Sequence, residues 1–411
     1  MGTKKGGKIR KSILLILIVL CQLGYASVFL NTARIAFYNE RDFERAKKAC
    51  LGGIEKGEVN FELHAILGGC EIGLGNWQKA SNALIKAFTI DSLKTINWLS
   101  KKGGGDQYYF QGFYFAAREL FDEEKYDEAL NNLEYAKILI PGDINIYILK
   151  GAILYKLGNI EKANREYKRV LNIDPENPDV YFLIGKSLFE TQEFDSSLIF
   201  FNDAIKYYKL KSNRISRVIF HNLLEIEKNL AQKIIKLWVE QNFDELDQLI
   251  KVKLEFDGGL DAQQKNIEQF FRATNDLARS YYFTGMAYYN LKKDSLALND
   301  LLKNLELKPD DLDALYFTGE IYIKSKKYPD AIRYFEKATQ LKEDDINAWF
   351  YLGVCYTQLK KYKKAIDIYE NKVLQFSPEN IDAMTNLAFI YSETGNSEKA
   401  LEYLKKVEQL Q

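Results

Sequence analysis

The sequence is poor in the residues that metal chemistry and nucleophilic catalysis draw on. Its 411 residues hold two histidines, His64 and His221, and four cysteines, Cys21, Cys50, Cys70 and Cys355. No C-x-x-C pair occurs, and His221 has no cysteine or second histidine at metal-ligand spacing, so no metal site is expected. Charge of one sign is lacking too: Lys+Arg and Asp+Glu both number 57, and no basic stripe appears beyond the N-terminus. Nucleic acid is therefore not an expected partner, because its binding leans on phosphate neutralisation. The glycine run between Lys101 and Asp106 lacks the G-x-x-x-x-G-K-[ST] spacing and a preceding strand, so it makes no phosphate loop. With no nucleophile, base or cofactor loop in a recognisable setting, no catalytic residue, cofactor or enzyme activity is expected.

Long apolar runs are also scarce. The exception is Ile13 to Cys21, preceded by Lys4, Lys5, Lys8, Arg10 and Lys11 and followed by Gly24-Tyr25-Ala26. A basic n-region, a short apolar core and small residues at the end suit a secretory signal peptide cut after residue 26. The alternative is an uncleaved anchor, since Ser12 to Leu30 approaches the roughly 20 residues needed to span a bilayer. In both cases the positive residues stay in the cytoplasm and the rest of the chain is translocated. A lipoprotein signal at Cys21 is disfavoured by Leu20, and myristoylation at Gly2 by Gly6 where Ser or Thr is required.

What the sequence does contain is a recurring unit of 34 residues. One copy carries Trp349, Leu352, Gly353 and Tyr356, then Ala365 and Tyr369, and closes with Pro378. Neighbouring copies carry Leu315, Gly319, Tyr322, Ala331, Phe335 and Ala338; Tyr281, Gly285, Tyr288, Ala297, Leu301 and Pro309; and Met384, Leu387, Ala388, Tyr391, Ala400 and Leu404. Upstream stand Tyr147, Gly151, Leu154, Ala163, Tyr167 and Pro175, then Tyr181, Gly185, Leu188, Ser197, Phe201 and Ala204. Weaker copies begin near Phe110 and Phe61, and a partial one holds Phe37, Phe43, Ala46 and Cys50. This W-x2-L-G-x2-Y, A-x3-F, P pattern resembles the tetratricopeptide repeat (TPR) family.

The resemblance implies an all-α fold, a right-handed α-solenoid of tandem helix-turn-helix repeats behind the N-terminal hydrophobic signal or anchor segment. Small residues let the paired helices approach while aromatic and Leu side chains fill the space between units. No unit buries its apolar face alone, so stability comes from stacking. The six prolines agree: Pro141, Pro175, Pro309 and Pro378 end units, Pro178 opens one and Pro329 starts a second helix. The expected organisation is a leader or anchor over 1–26, an N-terminal block over 27–211 and a C-terminal block over 278–411. The N-terminal units lie near 27–60, 61–94, 110–143, 144–177 and 178–211; the C-terminal ones near 278–311, 312–345, 346–380 and 381–411. Residues 95–109, with Trp98 and Gly103-Gly104-Gly105, read as an insertion forming a flexible excursion. Residues 212–277 carry apolar residues at helical spacing and read as a helical linker or degenerate repeats joining the blocks, interrupted at Gly258-Gly259.

The same resemblance places one face of each first helix along a peptide-binding groove. The matching positions are Tyr114, Phe121, Ile148, Tyr155, Phe182, Phe189, Tyr282, Met286, Tyr289, Tyr316, Phe350 and Phe389. Aromatic rings there suit a peptide ligand, and they equally suit packing between units. The carboxylate clamp of chaperone-binding relatives is missing, because its places hold Tyr282, Met286, Phe317, Asn347 and Tyr351. His64 falls at a packing position. Cys50 and Cys70 lie on successive helices, where they form either a disulfide or two inert buried thiols. Asp310-Asp311 and Asp344-Asp345 sit at unit boundaries, placed to cap the next helix.

The functional expectation is a non-enzymatic scaffold that binds a protein or peptide in an extracytoplasmic or membrane-associated complex. The alternatives are an accessory subunit of an envelope enzyme, such as a glycosyltransferase system, and a cytoplasm-facing assembly factor held by an N-terminal anchor.

Overall fold

The structure, a computed structural model, describes residues 28–102, 105–219 and 259–411, together with Lys233, Leu237, Glu245 and Gln248. The leader or anchor segment with Cys21, the pair Gly103-Gly104, His221 and most of the joint between the blocks lie outside the described residues. Among the described residues there is no strand, and no helix is long and apolar enough to cross a membrane.

The chain divides into two compact units, 1–175 and 176–411. In the first, α1 (28–40) pairs with α2 (Phe43–Glu55), α3 (Phe61–Gly73) with α4 (Trp77–Ile90), α6 (Asp106–Asp122) with α7 (Tyr126–Leu139), and α8 (Ile144–Lys156) with α9 (Ile160–Ile173). An extra helix, α5 (Ser92–Lys102), stands between the second and third pairs. In the second unit, α10 (Pro178–Glu190) pairs with α11 (Phe194–Ile219), α12 (Gly259–Asn290) with α13 (Asp294–Leu307), and α14 (Leu312–Lys324) with α15 (Tyr328–Leu341). The last pairs are α16 (Ile346–Gln358) with α17 (362–376), and α18 (Ile381–Glu393) with α19 (Ser397–Leu410).

The turn inside each pair follows one rule. The residue just past the end of the first helix has a positive φ at Arg41, Gly75, Glu124, Gly158, Gln192, Lys292, Lys326, Lys360 and Gly395. The following amide closes back over the helix end, as from Asn76 to the Glu71 carbonyl and from Lys327 to the Tyr322 carbonyl (both 2.8 Å), a Schellman closure. These nine positions fall one to each helix pair. At the next boundary, Asn60, Asp143, Asn177, Asp311, Asp345 and Asn380 accept a hydrogen bond from a first-turn amide of the helix they precede. The capping role expected of Asp311 and Asp345 is thus observed, and Pro178 and Pro329 sit in the first turns of α10 and α15.

Packing within a pair is knob against glycine. A Cβ built on Gly319 would come within 2.6 Å of the Phe335 ring, one on Gly353 within 2.7 Å of the Tyr369 ring, and one on Gly185 within 2.7 Å of Phe201. The ring positions themselves, Phe201, Phe335 and Tyr369, are fully buried.

Three features depart from the sequence expectation. Residues 95–102 belong to a helix, α5, with Thr95, Trp98 and Leu99 buried, and not to a flexible excursion. Helix α11 runs on to Ile219 and α12 starts at Gly259, so the outer parts of 212–277 extend repeat helices. Phe283 of α12 packs its ring on Phe182, Phe189 and Phe201 at 5.4 to 5.5 Å, which seats the 278–311 repeat directly on the 178–211 repeat. The 178–211 repeat therefore belongs to the same compact unit as the C-terminal repeats, and the division falls at Pro175. Finally, α17 is α-helical over Tyr362–Ile368, π-helical over Tyr369–Val373 and α-helical again over Leu374–Phe376.

Candidate protein-binding groove

In the second unit the first-helix aromatics recur every 34 residues and line up along the stack. Tyr316 meets Tyr351 edge-on at 5.4 Å, and Phe350 lies 6.0 Å from Tyr369. Tyr282, Tyr316 and Phe350 are each half-buried, so part of every ring is used in packing and part remains at the surface. Burial holds the Tyr282 and Tyr316 hydroxyls well above the usual phenol range, which keeps them neutral donors near neutral pH. Met286 is also half-buried, and Phe389, at the same place on α18, is 52% exposed. The Tyr289 hydroxyl donates to Glu320 Oε1 (2.6 Å) and accepts from Lys324 Nζ, so two consecutive first helices are tied across the groove floor.

Other expected groove residues are drawn into the core. Phe182 is 3% exposed, wedged between Phe201 and Phe283 with the Arg279 guanidinium 4.2 Å from its ring. It is a packing residue, because the helix stacked on it, α12, brings Phe283 to the place a ligand would need. Phe189 is likewise held between Phe194 and Phe283 at 5.3 and 5.5 Å. In the first unit Tyr114 stacks on Phe110 at 5.6 Å, Phe121 packs on Tyr126 at 5.9 Å, and Ile148 and Tyr155 are half-buried.

Polar contacts between repeats were not anticipated. Glu336 Oε1 of α15 accepts from the Tyr356 hydroxyl of the next first helix (2.9 Å). One repeat on, Glu370 Oε1 accepts from both Tyr391 (2.8 Å) and Tyr403 (2.9 Å). The recurrence of Glu after 34 residues and of Tyr after 35 was the available signal.

Cys50 and Cys70 are buried free thiols, as is Cys355. Burial raises the Cys70 thiol first and foremost, and Cys50 beside it adds to the effect. His64 is half-buried, with its pKa lowered by burial and by Lys86. Among the described residues no three His, Cys, Asp or Glu side chains gather in a way that could hold a metal ion.

Three family profiles match the chain: a TPR repeat profile over 151–192, a tetratricopeptide repeat profile over 359–410, and anaphase-promoting complex, cyclosome, subunit 3 over 290–372. A TPR repeat-containing protein of Methanocaldococcus jannaschii is 24% identical over 246 residues, 59% of this chain and 38% of that protein. The chain thus spans well under half the length of this relative. Among solved structures, YrrB, described as a TPR protein with an unusual peptide-binding site, is 19% identical, covering 60% of this chain and 92% of its own at a TM-score of 0.41. MamA from Desulfovibrio magneticus RS-1 is 26% identical, covering 36% of this chain and 88% of its own at a TM-score of 0.31.

Proposed function

The chain is a tetratricopeptide-repeat protein, and from that premise we propose that it is a non-catalytic scaffold whose second unit binds a protein or peptide along its first-helix groove. The observation that carries this reading is the aromatic row of Tyr282, Tyr316 and Phe350, half-buried and recurring at the repeat spacing, with Met286 and Phe389 offering apolar surface beside it. Rings fixed by packing lose little entropy on contact with a ligand, and their neutral hydroxyls add hydrogen bonds. The basic segment ahead of Ile13 to Cys21 supports a place for this scaffold beyond the cytoplasmic membrane, in the assembly or organisation of an envelope complex.

The test uses Met286→Glu combined with Phe389→Glu, since both side chains keep surface exposure and neither anchors a repeat. Proteins captured by the wild-type chain and identified by mass spectrometry should be lost from the double variant, while circular dichroism stays unchanged. Equal capture by a folded double variant would remove the groove assignment. Protease accessibility in intact cells and in spheroplasts separates the translocated scaffold from a cytoplasm-facing one.

A further inference from the structure

In three consecutive repeats of the second unit, the turns between paired helices are crowded with lysine. Lys292-Lys293 stand between α12 and α13, Lys326-Lys327 between α14 and α15, and Lys360-Lys361 between α16 and α17, each pair 34 residues from the next. Lys324, Lys363 and Lys364 flank them, and all nine residues are exposed. Over 290–297, 324–331 and 358–365 the only carboxylates set against these nine are Asp294 and Asp330, both half-buried. Among the described residues, the ion pairs these lysines make are Lys293 with Asp195 (3.4 Å) and Lys324 with Glu320 (3.5 Å). The turn itself does not demand lysine. The equivalent stretch 122–129 holds Asp122, Glu123, Glu124, Asp127 and Glu128 with one lysine, and 190–197 holds Glu190, Glu193 and Asp195 with no cation.

Stacking joins the three turns into one edge. Lys292 and Lys324, from successive turns, lie 5.8 and 3.8 Å from the centre of the same Tyr289 ring. The Tyr328 hydroxyl, at the start of α15, donates to Gln358 Oε1 at the end of α16 (3.5 Å), which brings the second turn to the third. Packed helices lie about 8–10 Å apart, so the nine ammonium groups share an edge roughly 20 Å long. A stripe that no reading along the chain reveals is thus assembled by the repeat spacing. At physiological ionic strength charges are screened over about 8 Å, so these lysines repel one another in the free chain and an anionic surface relieves the repulsion.

The side chains present narrow the kind of anion. Arginine, which grips a single carboxylate or phosphate through two parallel hydrogen bonds, does not occur in these stretches. The rings of Tyr289 and Tyr356 are covered by lysines, with Lys361 and Lys364 lying 6.0 and 5.2 Å from Tyr356, so neither is open to stack a base. Leu296 is the one large apolar side chain fully exposed here, too little for the buried anchors of a protein interface. Point charges on flexible stems, set in a row, suit negative charge that is dense and unpatterned, as on a layer of lipid headgroups.

We infer that the turn edge of repeats 278–311, 312–345 and 346–380 is a docking surface for an anionic lipid bilayer. It goes beyond the groove reading and needs no ligand in the groove.

The test treats the full chain with an amine-acylating reagent beside vesicles of phosphatidylcholine alone or of an equal mixture with phosphatidylglycerol, and reads each lysine by mass spectrometry. Lys292, Lys326, Lys327, Lys360, Lys361 and Lys363 should react at least about five-fold more slowly on the mixed vesicles, and high salt should abolish the difference. Lys342, exposed at the far end of α15, should react alike on both, which separates contact by this edge from mere attachment through the N-terminal segment. Equal rates at the edge lysines, or a slowing that Lys342 shares in full, would overturn the proposal. In a variant with Lys326→Gln, Lys327→Gln, Lys360→Gln and Lys361→Gln and an unchanged circular dichroism spectrum, the slowing at Lys292 and Lys363 should be lost; its persistence would count against the edge. Stronger slowing by a single-stranded oligonucleotide or by polyglutamate than by the mixed vesicles would assign the edge to another polyanion and reject the lipid surface. None of these readouts involves Met286 or Phe389, so failure of the groove reading and failure of this one are separate results.

Discussion

At the scale of single residues, small side chains set the distance between paired helices. Alanine in place of glycine normally favours an exposed helix by about 1 kcal/mol. At Gly319 the sign reverses, because the new methyl would meet the fully buried Phe335 ring at 2.6 Å, tighter than any relaxed contact. Gly319→Ala should therefore destabilise the chain by about 1–3 kcal/mol in urea denaturation. Equal or higher stability would mean that α14 and α15 can separate freely. The motif's glycine was legible from sequence for this reason, whereas the turn position was not. Six of its nine occupants, Arg41, Glu124, Gln192, Lys292, Lys326 and Lys360, are residues with no preference for positive φ. In eight of the nine units a Schellman closure holds this backbone conformation, and after the π-helical end of α1 the Asp42 amide reaches one residue further, to the Ala36 carbonyl (2.9 Å); the side chain announces neither.

At the scale of elements, α17 shows how a repeat absorbs an insertion. Unit 346–380 has 35 residues where the two units before it have 34. Phe335 is followed by its small buried partner Ala338 three residues later, but Tyr369 by Val373 four later, and the π-helical turn spans that step. A π turn takes one more residue per turn, so the buried face on either side stays in register. Deleting the exposed Asn371 should convert α17 into a 14-residue α-helix like α15, with helix content unchanged and melting within a few degrees of wild type. Collapse of cooperative melting in that variant would show that the π turn is required in its own right. The same scale explains α5. Its anchors at Thr95, Trp98 and Leu99 form a helical pattern readable in the sequence, but the glycines beside them and the broken period favoured a loop.

At the scale of the whole molecule, buried thiols and phenols give stability a dependence on alkaline pH. Burial pushes Cys50 and Cys355 up to about 12 from an ordinary 9.0, and Tyr108 and Tyr334 up to about 12 from 10.0. A raised folded pKa means that the fold prefers the neutral form. The contribution is complete below the unfolded pKa and is lost as pH rises through the folded one. Urea midpoints should accordingly hold level, as far as these groups are concerned, up to about pH 9 and fall progressively from there to about pH 12. A midpoint that stays flat through that window would mean that these groups are solvated in the folded chain. These groups lie in several repeats along the chain, so the loss is spread over the stack.

By itself the sequence determined the 34-residue period, the all-helical fold and the caps at Asp311 and Asp345. All of these depend on residues close in the chain, where spacing and side-chain size are enough to fix the geometry. Tertiary structure alone decided which surfaces of those helices remain open. Phe182 and Tyr316 occupy the same first-helix place in their repeats, yet Phe182 is sealed by Phe283 from a helix about 100 residues away while Tyr316 keeps surface exposure. Trp98 covers Tyr38 across an interval of 60 residues by the same logic. A periodic pattern records that a face is apolar. What comes to lie against that face is set by contacts between distant segments, and those follow from how the units pack.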